Sequence, residues 1–502
     1  MTAMKDSAPF ECHRVSRAQW SQRIDALHAS GARLLTLWAT DQRDRDGGDL
    51  LRSAFLQPEG IVILELELPD GTAPYPRIDE PFPAAARLQR AVHDLSGPVP
   101  DGGDCRPWLR HGAWSDGEAP LRRDFRGGTP DPKPYPFVRV RGEGVHEIAV
   151  GPVHAGTIEP GHFRFSLVGE KVLRLEQRLG YAHKGIERRF TELAALEARR
   201  LAARIAGDST IAFSWAFCMA EECIRGLRVP PRAAFLRALL LERERIANHL
   251  GDLGALGNDA GFGVGLAQFM RLKEDLLRAN ATVFGARYPM DALITGGVAI
   301  DIAPPGVTLL QQQARVLSDE TRRLRAIYDE HAGVQDRFMG SGTVSEALAR
   351  RLGMTGLAAR ASGIVRDLRR DLPSPPYDSL AVRCASADTG DVAARVKVRF
   401  DEIAESLRLC DELLRRLPSG AVCETPTVAM PAGFGVGLVE GWRGPVFVAL
   451  ETADDGSIRR CHPHDPSWHN WPALEHAIVS DIVADFPLIN KSFNLCYSGV
   501  DL

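Results

Sequence analysis

The chain has 502 residues, 44% of them hydrophobic, with 61 Lys and Arg set against 65 Asp and Glu. Such a length accommodates two or three domains with sizeable cores, and the near balance of charge gives no field that would draw in nucleic acid or an anionic membrane surface. Nine cysteines without a C-x-x-C pair read as reduced thiols, which argues against a disulfide framework or a zinc site. No stretch of some eighteen apolar residues occurs and no apolar run follows the basic start, so neither membrane spanning nor secretion is expected and a cytoplasmic location follows.

In chain order, a helical start ("QWSQRIDALHAS") leads into strand-like "RLLTLWA" and "GIVILELEL", then into the helical "PAAARLQRAVHDL". Residues 1–125 therefore read as a small α+β domain. Its last part is already rich in glycine and proline ("SGPVPDGGDCRP"), and residues 126–144, with "RGGTPDPKPYPF", read as a connecting arm because proline removes backbone donors. Residues 145–502 form the second domain. Alternation around turns in 146–178 predicts a small sheet, followed by a helix near Gly185. The stretch "PRAAFLRALLLERERIANHLGDLGAL" has Phe235, Leu239, Ile246 and Leu250 near helical spacing. Similar helical patterns run through 307–332, 344–371 and 390–416, and strand-like pieces such as "GPVFVALETA" return near the end. The fold class is α+β: a small α+β domain, then a mainly helical bundle with peripheral small sheets.

Three clusters could carry chemistry. In "GPVHAGTIEPGHFRF", His154 and His162 flank a Gly/Pro loop and could move protons near neutral pH, or be ordinary loop histidines. In "YAHKGIERR", Glu187 could relay protons beside His183 and Lys184, or belong to a solvated turn. In "RIAGDSTIAFSWAF", Asp208 and Ser209 precede an apolar helix, where both residue types are favoured caps.

The first two of these stretches, with "VPPRAAFLRALLLERERIANHLGDLG", "FGARYPMDALITGGVAIDI" and "GDVAARVKVRFDEIAESLRL", make five blocks that resemble in order those of the large subunit of membrane-bound [NiFe] hydrogenases of the hydrogenase-4 and formate hydrogenlyase type. They also resemble the homologous quinone-pocket subunit of respiratory complex I. The resemblance covers about residues 145–502, while the N-terminal part is similar to the small complex I subunit fused ahead of it. In such hydrogenases two C-x-x-C pairs hold nickel and iron, because soft thiolates are needed for both metals. Laid over this chain, the pairs fall on Ala206 and Ser209 and on Cys496 and Gly499, so three of four ligands are lost and no metal is expected. Cys496 then reads as a small buried hydrophobe. With Leu502 ending the sequence, no C-terminal extension of the kind removed after nickel insertion is expected.

The complex I resemblance implies a cavity for a quinone headgroup instead. It places His162 and His154 on the histidine loop that contacts the headgroup, and Gly207 where complex I carries a headgroup-binding tyrosine. Asp208, partly desolvated, is expected to gain proton affinity unless a cation such as Arg204 pairs with it. Asp208, His162, Glu187 and Tyr497 are expected to line one polar cavity.

Two functions follow from the resemblance. The first is an oxidoreductase subunit passing electrons from a partner's iron–sulfur cluster to quinone or another small acceptor. The second is a non-redox coupling or scaffold subunit of an ion-translocating membrane complex. Both imply an iron–sulfur partner resembling the hydrogenase small subunit, membrane-embedded antiporter-like subunits, and a peripheral place on the cytoplasmic face of the membrane. No cofactor bound by this chain itself is expected.

Overall fold

The computed structural model describes residues 9–69, 74–154 and 158–502; Ala155, Gly156 and Thr157, part of the "GPVHAGTIEPGHFRF" motif, lie outside the described residues, as do the first eight. The first sheet is built from β1 (Phe10–Val15), β2 (Arg33–Asp41), β3 (Asp49–Gln57) and β4 (Gly60–Leu68), with α1 (Arg17–Ala29) and α2 (Ala85–Ser96). Strand order is β1-β4-β3-β2; β1 runs parallel to β4, and the other pairs are antiparallel. Helix α1 starts where it does because Ser16 and Gln19 form a capping box that satisfies free backbone donors at both positions.

Residues 97–144 contain no helix or strand and are held by scattered backbone bonds, such as the Leu121 amide to the Leu95 carbonyl at 2.8 Å, and by side chains. The Asp94 carboxylate at the end of α2 accepts from the Trp108 and Leu109 amides at 2.6 and 2.8 Å. A three-stranded antiparallel sheet follows: β5 (Val145–Val150), β6 (His162–Val168) and β7 (Lys171–Arg178).

Beyond it come α3 (Ile186–Phe190), α4 (Ala195–Ala202), α5 (Thr210–Arg225), α6 (Pro231–Asp259) and α7 (Gly263–Phe284), then the two-residue strands β8 (Leu293–Ile294) and β9 (Gly297–Val298). Next are α8 (Pro304–Glu330), α9 (Ala332–Phe338), α10 (Glu346–Arg351), α11 (Gly356–Ala361), α12 (Leu368–Asp371) and α13 (Val392–Arg415). The chain closes with the antiparallel sheet β10 (Gly433–Gly441), β11 (Gly444–Thr452) and β12 (Ile458–His464), then α14 (Ser467–Ala477) and α15 (Phe486–Phe493).

The helices expected around 307–332 and 390–416 are present as α8 and α13. The single helix expected over 344–371 is not: three short helices replace it, with Gly353 and Gly363, at φ of +66° and +85°, just past the ends of α10 and α11. Left-handed backbone ends a helix, and apolar periodicity does not reveal it.

Two packing choices position the site. Leu35, Trp38, Ala54, Ile61 and Ile63 of the first sheet pack on Val436, Leu438, Phe447 and Ala449 of the last. Arg52 reaches across to Glu451 at 2.7 Å. On the other face of the last sheet, the sequence "GFGVGLVEG" sets glycine at alternate positions of β10, so α5 lies directly on the strand. A Cβ on Gly435 would come within 2.3 Å of the Ala220 carbonyl, and one on Gly437 within 1.9 Å of the Ala216 carbonyl. Helix and strand are thereby aligned so that the start of α5 meets the β10–β11 turn. Gly437→Ala is expected to lower the unfolding free energy by about 1–3 kcal/mol through overpacking, measured by denaturant titration.

Candidate functional site

The turn between β10 and β11 consists of Trp442 and Arg443, delivered onto the residues that precede α5. The Arg443 guanidinium grips Asp208 with two bonds, Nη1 to Oδ1 at 2.8 Å and Nη2 to Oδ2 at 2.5 Å, while its Nε donates to the Asn494 carbonyl at 2.6 Å. It also lies 3.9 Å from the Trp442 ring centroid. Trp442 Nε1 donates to the Asp208 carbonyl at 2.8 Å and to the Ser209 hydroxyl at 3.2 Å. One side chain thus ties together the start of α5, the hairpin and the C-terminal segment.

This arrangement corrects the expectation for Asp208. Arg204 is not its partner; it pairs with Asp291 at 2.7 Å. Burial opposes charge on Asp208, but Arg443 outweighs it and holds the carboxyl below the ordinary aspartate range. Some 38% of the Asp208 side chain also remains open to solvent. Asp208 is an anion at neutral pH and does not store a proton.

Nor does Ser209 cap α5 with its side chain. Glu244 of α6 does, its two carboxyl oxygens accepting from the Ile211 and Ala212 amides at 2.7 and 3.2 Å. Glu244 lines a small cavity with Gly207, Asp208, Arg243 and Asn248. Burial, reinforced by the nearby Asp208 charge, pushes its pKa up to about 8 despite the two amide donors. It is the proton-holding carboxyl beside Asp208.

The C-terminal segment closes the other side. Asn494 ends α15 in the left-handed region (φ 44°), where its side chain donates to Asp252 at 2.7 Å. Cys496 is buried; its amide donates to Ser467 Oγ at 2.9 Å, its carbonyl accepts from Trp471 Nε1 at 3.0 Å, and its sulfur accepts from the Gly499 amide at 3.1 Å. Burial, with Asp465 next in importance, pushes the thiol pKa well up, so Cys496 stays protonated. Gly499 lies flat against Asp465, where an added Cβ would be 2.5 Å from Oδ2. That oxygen is buried without a hydrogen-bond partner among the described residues, and burial raises the Asp465 pKa.

The motif "YAHKG" sits between the two segments. Asp501 accepts from the Ala182 amide at 2.6 Å and faces His183 Nδ1 at 3.2 Å, while the Lys184 ammonium lies 3.5 Å from the Arg204 and Ile205 carbonyls that lead to buried Ala206.

The histidine loop leans on this segment. Its two histidines bind the loop's own backbone: His154 Nε2 donates to the Gly161 carbonyl at 2.9 Å, and His162 Nδ1 to the Gly151 carbonyl at 3.3 Å. Burial lowers the His162 pKa, and its Nε2 is buried without a partner among the described residues. Gly161 rests on the Tyr497 ring, and Glu159 Oε2 accepts from the Tyr497 and Ser498 amides at 3.3 Å each. The Tyr497 hydroxyl accepts from Asn490 at 3.3 Å, and burial raises its pKa to about 12.

Glu187 is not brought to this cluster. It lines a separate, largely apolar recess with Trp38 and His462, held by Arg460 at 3.0 Å and by His462 Nδ1 at 2.6 Å, whose Nε2 accepts from the Thr36 hydroxyl at 2.8 Å. Burial opposes its charge, yet Arg460 and His462 hold its pKa below the usual glutamate value. The four residues expected to share one cavity therefore divide: Asp208 meets the Cys496 segment through Arg443, Tyr497 meets the histidine loop, and Glu187 stands apart.

Arg443, Glu244, Asp465 and Glu159 were missed by sequence reasoning. Only "EGWRGP" carried a signal, since glycine and proline between two strand patterns mark a turn.

The helical bundle with a small sheet at each end, and a site formed by the start of α5, a hairpin tip and the C-terminal segment, define a large-subunit fold of the hydrogenase and complex I type. A family described as "Respiratory-chain NADH dehydrogenase, 49 Kd subunit" matches residues 259–432. Formate hydrogenlyase subunit 5 of Escherichia coli (strain K12) is 30% identical over 94% of this chain and 85% of its own length. The carbon monoxide-induced hydrogenase of Rhodospirillum rubrum is 32% identical over 70% of this chain and 98% of its own length. A chain in the structure of an archaeal membrane-bound sulfane sulfur reductase is 25% identical, with a TM-score of 0.68, over 72% of this chain and 99% of that one. The chain belongs to the family of complex I 49 kDa-type subunits and their hydrogenase relatives.

Two variants test the electrostatics. Arg443→Gln is expected to destabilise the fold by less than the ~3–5 kcal/mol of a fully buried pair, because water already reaches Asp208; adding Asp208→Asn should recover part of the loss in a double-mutant cycle. Glu244 retains in the folded state a proton that the unfolded chain releases, so its contribution makes stability fall as pH rises from 4.5 to about 8. Glu244→Gln is expected to flatten that fall in denaturant titrations across this range.

Proposed function

We propose that the chain is an oxidoreductase subunit of a membrane-associated complex related to hydrogenase-4 and complex I, working without a nickel–iron centre. In this reading it sits peripherally on the cytoplasmic face, beside an iron–sulfur partner and membrane-embedded antiporter-like subunits. No helix among the described residues is long and apolar enough to cross a membrane, so membrane attachment would come through those partners.

The observation that carries the reading is the donor set. At the four positions where the resemblance sets thiolates stand a methyl group, a hydroxyl, one thiol and a glycine. The hydroxyl is engaged by Trp442, the thiol is held protonated, and the glycine is packed on Asp465. Between them lies a guanidinium, whose charge repels a metal cation. Soft-metal binding needs deprotonated thiolates in number, and this set does not fit it. Among the described residues no group of three or more His, Cys, Asp and Glu is arranged to hold a metal ion.

The reduction of a quinone consumes two electrons and two protons. Electrons would come from the partner's iron–sulfur cluster. For protons, Glu244 is suited, its pKa pushed to about 8 by burial, with Asp465, whose proton affinity burial raises, near the Cys496 segment, whereas Asp208 is clamped as an anion that orients Arg443. The Arg443 guanidinium and the Tyr497 hydroxyl are the donors that could bind an acceptor's oxygen.

A second reading, a coupling subunit without redox chemistry, draws support from the buried charges beneath the hairpin. Glu402 binds Arg360 at 2.7 Å, His249 at 2.8 Å and Arg245 at 3.4 Å, and His249 meets the Trp442 ring edge-on.

In the purified membrane complex, substoichiometric nickel and quinone-dependent oxidation of a reduced donor are expected, with turnover reduced at least about tenfold by Glu244→Gln, as for loss of a general acid. One nickel per chain would overturn the reading. Absence of both nickel and turnover would favour the coupling subunit.

A further inference from the structure

Away from this site, a cavity of about 620 Å³ opens where the first sheet meets the short helices α10 and α11. Its wall combines four arginines, Arg33, Arg350, Arg351 and Arg366, with two buried histidines, His464 and His469. Of the carboxylates that line it, Asp79 and Glu80 both face Arg77, Asp79 Oδ1 at 3.6 Å and without a hydrogen bond among the described residues. Glu346 holds Arg350 at 2.6 Å, and Asp371, whose charge acts on Arg366, holds Arg370 at 2.7 Å. Arg33, Arg351 and Arg366 have no ion pair among the described residues. Burial and the neighbouring Arg366 charge lower the Arg33 pKa to about 10, outweighing the opposite pull of Glu440 and Asp371.

The histidines supply an independent observation. His464 is 1% exposed, and neither ring nitrogen has a hydrogen-bond partner among the described residues. His469 is 5% exposed and donates through Nε2 to the Leu35 carbonyl at 2.9 Å, leaving Nδ1 unpartnered. Buried polar atoms are nearly always satisfied, so three orphan ring nitrogens on the wall of an arginine-lined cavity call for a ligand that offers acceptors and a hydroxyl or amine donor. Phe82, Met354 and Ile364 add an apolar side.

We propose that this cavity binds a small phosphate-bearing molecule of nucleotide size, its phosphate oxygens held by Arg33, Arg351 and Arg366 and its polar body by His464 and His469. Guanidinium forks match phosphate oxygens two at a time, and the volume falls in the range of small-molecule sites. The cavity is bounded by both sheet and helices, so an occupant would bridge the N-terminal sheet and the helical region, independently of the Arg443 site.

Isothermal titration of the full chain with ATP, and separately with inorganic pyrophosphate, tests this. Both probes are expected to bind, ATP more tightly because its base and ribose reach the apolar side and the histidines. Arg351 and Arg366 are exposed, so the double variant Arg351→Glu, Arg366→Glu should fold with an unchanged thermal midpoint. It should bind each probe at least about tenfold more weakly, as expected for lost charge-assisted bonds, whereas Arg351→Lys, Arg366→Lys should retain part of the affinity. Absence of binding by both probes, or equal binding by the Glu double variant, would overturn the assignment. So would binding to phosphatidylglycerol vesicles that pyrophosphate does not compete, which would make the patch a lipid contact.

Discussion

The bidentate pair between Arg443 and Asp208 joins parts of the chain that are 235 residues apart, and the same guanidinium reaches the Asn494 carbonyl from the C-terminal segment. A buried guanidinium must find partners for its donors, since one left unpaired would cost more than most single contacts contribute. That requirement orients the hairpin tip, the start of α5 and the end of α15 together. It can be met only because glycines along β10 let α5 approach to backbone contact. The packing of a helix on a strand and the electrostatics of the site are therefore one constraint seen at two scales.

Around that pair the carboxyl groups divide by environment. Asp208 and Glu187 are each gripped by an arginine and stay charged, whereas burial prevails at Glu244 and Asp465 and raises the proton affinity of both, that of Glu244 to a pKa of about 8. Neighbouring groups of one chemical type thus become fixed anions or proton holders according to whether a cation faces them. Cys496 follows the same rule: buried beside Asp465, its thiol has little thiolate character and behaves as a packed side chain.

The N-terminal sheet is not a loose appendage. Its second face packs on the last sheet of the chain, and the Arg52–Glu451 and Thr36–His462 contacts add polar links across the junction. The recess of Glu187 and the arginine-lined cavity are both lined by residues of β2 and β12, the strands that face each other near this junction.

The α+β class, the long helices α6, α8 and α13, and the membership suggested by five ordered blocks were all legible in the sequence, because apolar periodicity and local motifs are properties of neighbouring residues. The division of 344–371 into three helices was not, since the left-handed glycines that end them are also tolerated inside a helical pattern. Asp208 was recognised as a candidate, but its partner, and with it the sign of its pKa shift, depended on an arginine 235 residues away. Glu244 lies in the helix that the periodicity of Phe235, Leu239, Ile246 and Leu250 marks, but only the fold sets it against the start of α5. Local chemistry named the groups that could act; only the tertiary structure decided which charges face each other, because an ion pair is fixed by distance in space and not by separation along the chain.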